Sequence, residues 1–254
     1  MSEPSSAALN YSHYLRIDDL LACQVPRSDE HDELLFIVIH QVYELWFKQL
    51  LHELGRLHAV LAAGDIAATM ACLGRVLAIL KTVVAQIDVL ETLTPRGFLS
   101  FRDRLDSASG FQSAQFRQIE AVLGRRDPSM LEPYGEDSAE HARIAAAMAG
   151  PDILDALLAF LGVRGWAVCD RADEAGVEEL LLDVHRADPV ATMVCEKLVD
   201  LDEGIQEWRY RHVKMVERTI GGRLGTGGSA GAAYLRSTLF KPVFPALWAI
   251  RSRL

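Results

Sequence analysis

The chain contains 254 residues, half of them hydrophobic, and its formal net charge at pH 7 is −9. A chain of this length can bury a substantial core as one large domain or as two small ones. The acidic balance argues against a nucleic-acid partner and against an anionic membrane surface, because both attract basic proteins.

The amino-terminal residues do not resemble a signal peptide, because residues 1–6 lack a basic region and an apolar stretch. We therefore expect the protein to stay in the cytoplasm. The first helical pattern covers Tyr11–Leu21, where Tyr11 and Tyr14 share one face.

A long helix is predicted from Asp29 to about Ala63. Between Leu34 and Leu51, apolar residues occupy every side of this helix, which predicts that it is buried all round. Its interspersed polar residues make a membrane span unfavourable, so a central helix of a soluble bundle is favoured. His40 lies on an apolar face, where a core histidine bonded to a carbonyl or to Glu44 is a common alternative to a functional role.

The middle of the chain contains further helical patterns. A strongly amphipathic helix is predicted from Ile66 to about Leu93, ended by Pro95. Arg102 follows beside two aromatic residues and could hold a carboxylate bidentately, although such arginines are commonly solvated or paired locally. Shorter helices are predicted at residues 112–123, 140–148, 153–161 and 177–185.

The longest amphipathic pattern begins at Asp188, a plausible cap, with Pro189 in the first turn, and it runs to Gly221. His212 lies in its apolar stripe. A neutral imidazole there could ligate a metal or haem iron, but a hydrogen-bonded core histidine is the commoner outcome. The rest of the stripe, in steps of three and four residues, consists of Val194, Leu198, Leu201, Ile205, Trp208, Met215, Val216 and Thr219.

A glycine-rich segment, Gly225–Gly231, follows this helix and formally meets the loose dinucleotide-binding pattern. A charged helix precedes it, whereas a nucleotide-binding loop follows a hydrophobic strand, so nucleotide binding is rejected. Two short helices, Ala232–Leu239 and Val243–Arg253, complete the chain. Because no alternating strand pattern or fixed-period repeat occurs, we predict an all-α helical bundle.

Several metal and catalytic patterns are absent from the sequence. There is no Glu-x-x-His pair for a di-iron centre and no HExxH. The cysteines form no CxxC pattern, which predicts reduced thiols, no structural zinc and no covalently attached haem. The remaining candidates, His40 and His212, lie on two long helices and suit a haem pocket with a distal and a proximal histidine.

Five blocks of the sequence, in order, resemble the motifs of the tryptophan 2,3-dioxygenase family. They are Tyr11–Leu15, Phe36–Trp46, Phe101–Arg102, Ser107–Ser113 and Gly225–Ser229. The resemblance implies one helical domain over residues 1–254, haem b as the cofactor and a homotetramer. It also implies an oxidoreductase of the kynurenine pathway that adds dioxygen to L-tryptophan and gives N-formylkynurenine.

The same resemblance implies roles for individual residues. His212 is expected to be the axial ligand of the haem iron, and His40 the catalytic residue that accepts the indole N–H. Arg102 is expected to grip the substrate carboxylate, and Thr226 to contact the ammonium and carboxylate groups. The other residues expected from it are Phe36, Phe98 and Ser109 around the substrate, Ser109 also beside the haem, and Tyr11, Tyr14 and Leu15 in a neighbouring subunit's site. Separately, burial of a haem requires apolar walls, which Trp208 and Met215 can supply.

Ile39, Val42 and Tyr43 differ from the more polar residues that some family members have around the distal histidine. Relatives with this helical haem fold include indole monooxygenases and tyrosine hydroxylases, so a related aromatic monooxygenase is the alternative enzyme. A haem-binding sensor would need neither Arg102 nor Thr226. The presence of both residues favours an enzyme.

Overall fold

The computed structural model describes residues 10–106, 108, 110–223, 225 and 231–254. Within these ranges the regular structure is entirely helical, which confirms the predicted all-α class. Short 3-10 turns occur at Arg102–Arg104, Gly110–Gln112, Pro128–Met130 and Ile250–Arg253. The α-helices are α1 Tyr11–Leu15, α2 Ile17–Leu21, α3 His31–Ala62, α4 Ile66–Ala85, α5 Ile87–Leu90, α6 Pro95–Phe101, α7 Ala114–Val122, α8 Ala139–Ala149, α9 Ile153–Val163, α10 Glu174–Ala187, α11 Pro189–Ile220, α12 Ala232–Ser237 and α13 Pro245–Ala249.

Helices α3 and α11, with 32 residues each, are the longest, and α4 packs against both of them. Helix α11 begins as predicted, because the Asp188 carboxylate accepts the backbone N–H groups of Val190 and Ala191 at 3.1 and 3.0 Å. Helix α3 also contacts α7 and α9, and α11 also contacts α10 and α12. The two long helices therefore carry the elements that surround the candidate site.

Helix α3 is not buried all round, so that prediction is wrong for the single chain. Leu34, Val38 and Leu45 are 48, 37 and 48% exposed. The contacts of α3 with α4, α5, α6, α7 and α9 cover only part of its circumference, and these three side chains lie on the remaining side. An apolar strip therefore runs along the outside of α3.

Two predicted helices are interrupted. Arg16 separates α1 from α2 because its φ of 51° is left-handed. The helix that starts at Ile66 breaks at Gln86, whose side-chain amide donates to the carbonyl of Ile39 at 3.2 Å. Pro95 does not end that helix but begins α6. In the first turn of a helix the backbone N–H groups have no intrahelical partner, so a proline, which has no N–H, loses no hydrogen bond there.

The crossing of α4 and α11 depends on Gly204, which lies against Leu80. A Cβ atom added to Gly204 would stand 2.5 Å from Leu80 Cδ2, closer than real Cβ contacts. Leu80 is itself a buried member of the hydrophobic core. A glycine at this position therefore lets the two helices approach each other closely.

The carboxyl-terminal segment is fixed to α11 by one buried carboxylate. Asp202 is fully buried, and its Oδ2 atom accepts the backbone N–H groups of Val243 and Phe244 at 2.7 and 2.8 Å. The same oxygen accepts the indole N–H of Trp248 at 2.9 Å. Three donors satisfy a charge that would be costly to bury alone.

Among the described residues, three helical stretches are long and apolar enough to cross a membrane by length and composition. The first of them, α3, carries His40, Glu44 and Lys48 within its apolar part. The expectation that no membrane partner exists stays a prediction. The three stretches are His31–Ala62, Ile66–Leu90 and Ala139–Val163.

Candidate active site

Two cavities adjoin at His212, which lines both of them together with Gly110. The first has a volume of about 100 Å³, and we call it the His40 cavity. The second has a volume of about 70 Å³, and we call it the Arg117 cavity. Five predicted site residues meet at the His40 cavity besides His212: Phe36, His40, Phe98, Arg102 and Met215.

The His212 imidazole is held in a form that can bind a metal. Burial first, and then the neighbouring His40 and Arg117, lower the pKa of His212 to about 4. The ring is therefore neutral at pH 7 and has a nitrogen lone pair. Trp208 stacks on it with ring centroids 5.3 Å apart, and no residue in the described ranges hydrogen-bonds it.

His40 has one nitrogen engaged and one available. Its Nδ1 atom lies 2.7 Å from the backbone carbonyl of Phe36, and because a carbonyl only accepts, Nδ1 carries the proton. Burial lowers the pKa of His40, so the neutral ring leaves Nε2 as an acceptor. The carbonyl-bonded histidine predicted as an alternative role is therefore compatible with ligand binding through the other nitrogen.

The walls of the His40 cavity include a cluster of aromatic rings. Phe36 lies 5.8 Å from Phe98 and 5.6 Å from Phe101, measured between ring centroids. Arg102 follows this cluster directly at the end of α6 and brings a cation to the same cavity. The cavity thus combines apolar walls, an acceptor nitrogen and a guanidinium group, which suits an aromatic amino acid.

A buried arginine cluster was not predicted from the sequence. Glu120 accepts hydrogen bonds from Arg117 at 2.7 Å, Arg125 at 2.6 Å and Arg209 at 3.2 Å. Burial alone would raise the pKa of Glu120, but the three guanidinium groups hold it below its ordinary value. Three cations around one carboxylate leave an excess of positive charge beside the Arg117 cavity.

Arg209 has a further feature that points to a ligand. Its Nε atom is buried without a hydrogen-bond partner among the described residues, and the residue is only 5% exposed. An unpaired buried donor is costly, and an acidic ligand in the Arg117 cavity would offset that cost. The spacing offers a sequence signal for this cluster, because Arg209 lies one turn before His212 and Arg117 lies one turn before Glu120.

The side chains around His212 suit a haem by their chemistry. The macrocycle is flat and apolar with carboxylates at one edge, and the Arg117 cavity has aromatic walls and an excess of buried cations. His212 supplies a neutral nitrogen. Among the described residues, no group of three or more His, Cys, Asp or Glu side chains forms a metal site. The aromatic walls of this cavity are Phe47, Phe116 and Trp208.

Other predicted site residues lie elsewhere. Tyr11 and Tyr14 are 74 and 72% exposed on α1, and with Leu15 they line neither cavity of their own chain. Ser109 and Thr226 lie outside the described residues. The expected roles of these five residues stay predictions.

The residues that depart from the family pattern lie mainly in the core. Ile39 and Tyr43 are buried, and Val42 is half-buried. The Tyr43 ring packs edge-on against Trp208 at 5.2 Å between centroids. Tyr43 therefore supports the tryptophan that stacks on His212, and it does not line either cavity.

Comparison with known proteins gives one consistent result. A family model described as Tryptophan 2,3-dioxygenase matches residues 1–147 and 175–254. A protein named tryptophan 2,3-dioxygenase from Anaeromyxobacter sp. (strain K) is 62% identical, with 100% of both chains covered. Proteins of the same name from Herpetosiphon aurantiacus and Caulobacter vibrioides are 52 and 43% identical. The alignments cover 98% and 97% of this chain and 100% and 98% of those two relatives.

Proposed function

The chain belongs to the tryptophan 2,3-dioxygenase family, and we propose that it opens the indole ring of L-tryptophan with dioxygen to give N-formylkynurenine. It is thus an oxidoreductase of tryptophan catabolism, in the kynurenine pathway. The observation that carries the proposal is the meeting of His40, His212 and Arg102 at one cavity. These three residues offer an indole acceptor, an iron ligand and a carboxylate partner.

Residues from α7 and α11 hold the haem in this proposal. His212 would ligate the iron, Trp208 and Met215 would pack against the macrocycle, and Arg117 and Arg209 would pair with its carboxylates, since all five residues line the two cavities. When bound, the haem iron supplies the activation of dioxygen. The buried cations stabilise the carboxylates because the surroundings have a low dielectric constant.

Residues from α3 and α6 hold the substrate. Nε2 of His40 accepts the indole N–H, and Arg102 pairs bidentately with the carboxylate. Phe36 and Phe98 contact the ring and exclude water from it. Fixing the substrate at both ends restricts the ring to one orientation, so the 2,3 bond is presented to dioxygen in a reactive geometry. Following the family pattern, Ser109 lines the pocket and Thr226 contacts the ammonium and carboxylate groups.

The proposal includes a homotetramer in the cytoplasm, without a nucleic-acid or membrane partner. Tyr11, Tyr14 and Leu15 are exposed on α1, which makes them available to another chain. In the assembly they complete the His40 cavity of a neighbouring subunit. Exposed aromatic side chains of this kind are enriched at protein interfaces.

Isotope labelling tests the reaction. The haem-loaded protein is reduced without oxygen, mixed with L-tryptophan and exposed to labelled dioxygen, and the product mass is measured. We expect N-formylkynurenine with two labelled oxygen atoms, without an external reductant for each turnover. A product with one labelled atom would indicate an indole monooxygenase, and hydroxylated tyrosine with inert tryptophan would indicate the tyrosine-acting enzyme.

A further inference from the structure

Gly110 stands between the two cavities, where it lines both. A Cβ atom added to Gly110 would lie 3.7 Å from Nε2 and 4.0 Å from Cδ2 of His40. These are the only atoms of the described residues within 4 Å of that position, apart from the chain neighbours of Gly110. A side chain here would therefore point at the free nitrogen of His40.

The nitrogen in question is the acceptor of the site. Nδ1 of His40 donates to the Phe36 carbonyl, so only Nε2 can accept a hydrogen bond from a ligand. A donor atom must come within about 2.7–3.2 Å of Nε2, whereas unbonded carbon atoms stay about 3.5–4.0 Å apart. A methyl group at 3.7 Å from Nε2 would occupy part of the space that the ligand ring needs.

We propose that Gly110 is a specificity-determining residue, because its missing side chain keeps the approach to Nε2 of His40 open for a ring N–H donor. The proposal rests on the proposed function. It attributes the preference for ligands with a ring N–H group to the open approach to Nε2 of His40. A residue with any side chain at this position would favour ligands that do not use the His40 hydrogen bond.

The chain tolerates a methyl group at Gly110 in other respects. Its φ lies outside the left-handed region, so alanine is not strained there. The added atom meets the His40 ring at ordinary van der Waals distance and, beyond the residues adjoining Gly110 in the chain, no backbone atom of the described residues. Gly135 offers a matched control, because it has no positive φ and its added Cβ would meet nothing within 4 Å.

Binding of two ligands to the haem-loaded protein tests the proposal. The ligands are L-tryptophan and its benzothiophene analogue, which has sulfur in place of the ring N–H. We expect the wild-type protein to bind tryptophan about tenfold more tightly than the analogue, because one hydrogen bond to a buried acceptor contributes a difference of this size. In Gly110→Ala the preference falls close to one with unchanged haem content, whereas Gly135→Ala keeps the wild-type preference.

A double-mutant cycle with His40→Ala separates the proposed contact from a general disturbance. If Gly110 acts through Nε2, then Gly110→Ala changes the ligand preference by less than about twofold once His40 is absent. An unchanged preference in Gly110→Ala, additive effects in the cycle, or loss of haem from Gly110→Ala would each overturn the proposal. Failure of the wild-type protein to bind tryptophan would instead overturn the proposed function, and this inference with it.

Discussion

At the scale of single residues, His212 is the position on which cofactor binding depends most. We predict that His212→Gly folds as a helical protein but loses most of its haem, because no other imidazole among the described residues lines both cavities. Added imidazole should restore haem binding by filling the space of the missing ring. The haem-to-protein ratio and the Soret absorbance measure both effects, and circular dichroism checks the fold.

A variant at position 212 that keeps a full complement of haem and an unchanged ferric spectrum would remove His212 from the ligand role. His40→Ala is the matched control for this experiment. It deletes the other cavity histidine, whose Nδ1 already bonds a carbonyl, so the haem content should stay near the wild-type value.

Arg102 should act on the acidic end of the substrate. We predict that Arg102→Leu weakens L-tryptophan binding by about 2–4 kcal/mol, because a partly buried carboxylate would lose a bidentate, charge-assisted partner. Haem content should not change. Calorimetric titration with tryptophan and with indole, which lacks the carboxylate, measures the selectivity of the effect, and equal losses for the two ligands would show that Arg102 is structural.

The two histidines at the cavities could be singled out from the sequence, but the buried arginines Arg117 and Arg209 could not. His40 and His212 stand out because each interrupts an apolar stripe on a long helix, and such stripes are visible without knowledge of the fold. The cluster at Glu120 joins α7 to α11 across 89 residues of sequence, so only tertiary packing brings Arg117 and Arg209 together. Ser109 and Thr226, expected from the family pattern, stay predictions.

At the scale of elements, the start of α11 depends on a carboxylate that has two functions. Asp188 caps the helix and also accepts both Nε and Nη2 of Arg164 at 2.7 Å. The Arg164 hydrogen bonds hold the pKa of Asp188 well below its usual range. Because the folded pKa lies below the unfolded one, the stabilisation is present at neutral pH and is lost as the pH falls towards the folded value.

We therefore predict that Asp188→Asn lowers the free energy of unfolding by about 2 kcal/mol at pH 7, from the lost ion pair and weakened cap. The difference from wild type should shrink below about pH 4, where the carboxyl group of the unfolded wild type is protonated. Urea denaturation at several pH values measures it. Asp183→Asn serves as a control on an exposed carboxylate, and a difference that does not change with pH would contradict the linkage.

Alanine substitutions at two glycines, one at the crossing of α4 and α11 and one elsewhere on α4, should change the stability in opposite directions. Gly204→Ala should destabilise the protein, because a clash with Leu80 costs about 1–3 kcal/mol and exceeds the helix-propensity gain of about 1 kcal/mol. Gly74→Ala, in open space on α4, should stabilise by about 0.5–1 kcal/mol. Denaturation midpoints compare the two, and a stabilising Gly204→Ala would show that the helices can separate at no cost.

Helix positions were predicted well where an apolar stripe and a cap agree, as at Asp188. Breaks were predicted poorly. The left-handed conformation of Arg16 and the interruption at Gln86 occur at residues with ordinary helix propensity, so the sequence carries no local signal for them. Pro95 was assigned the wrong end of a helix, because a proline that cannot continue one helix can equally begin the next.

At the scale of the whole molecule, the exposed strip of Leu34, Val38 and Leu45 on α3 supports the proposed assembly. We predict that Leu45→Asp yields species smaller than a tetramer, because a charge in an apolar interface is costly to bury. Light scattering coupled to size exclusion measures the mass. Val163→Asp is a control at an exposed apolar residue on α9, and a tetramer that survives Leu45→Asp would place the interface elsewhere.

The burial of α3 was overestimated from the sequence, and the reason concerns contacts between chains. A helix that is apolar on every side predicts burial, but the pattern does not tell whether the covering surface comes from the same chain. The contacts of α3 within the chain leave one side open. In the proposed homotetramer, a neighbouring subunit would cover that side and so account for the apolar residues there.

The carboxylate of Asp202 also imposes an order on biosynthesis. Its three donors are supplied by Val243, Phe244 and Trp248, which the ribosome adds about forty residues after Asp202. Until then, α11 cannot bury that oxygen without a large penalty, so the helix that carries His212 stays incompletely docked. Haem loading is therefore expected to follow translation of this segment, and a nonsense mutation just before Val243 would abolish cofactor retention without touching any residue of the cavity.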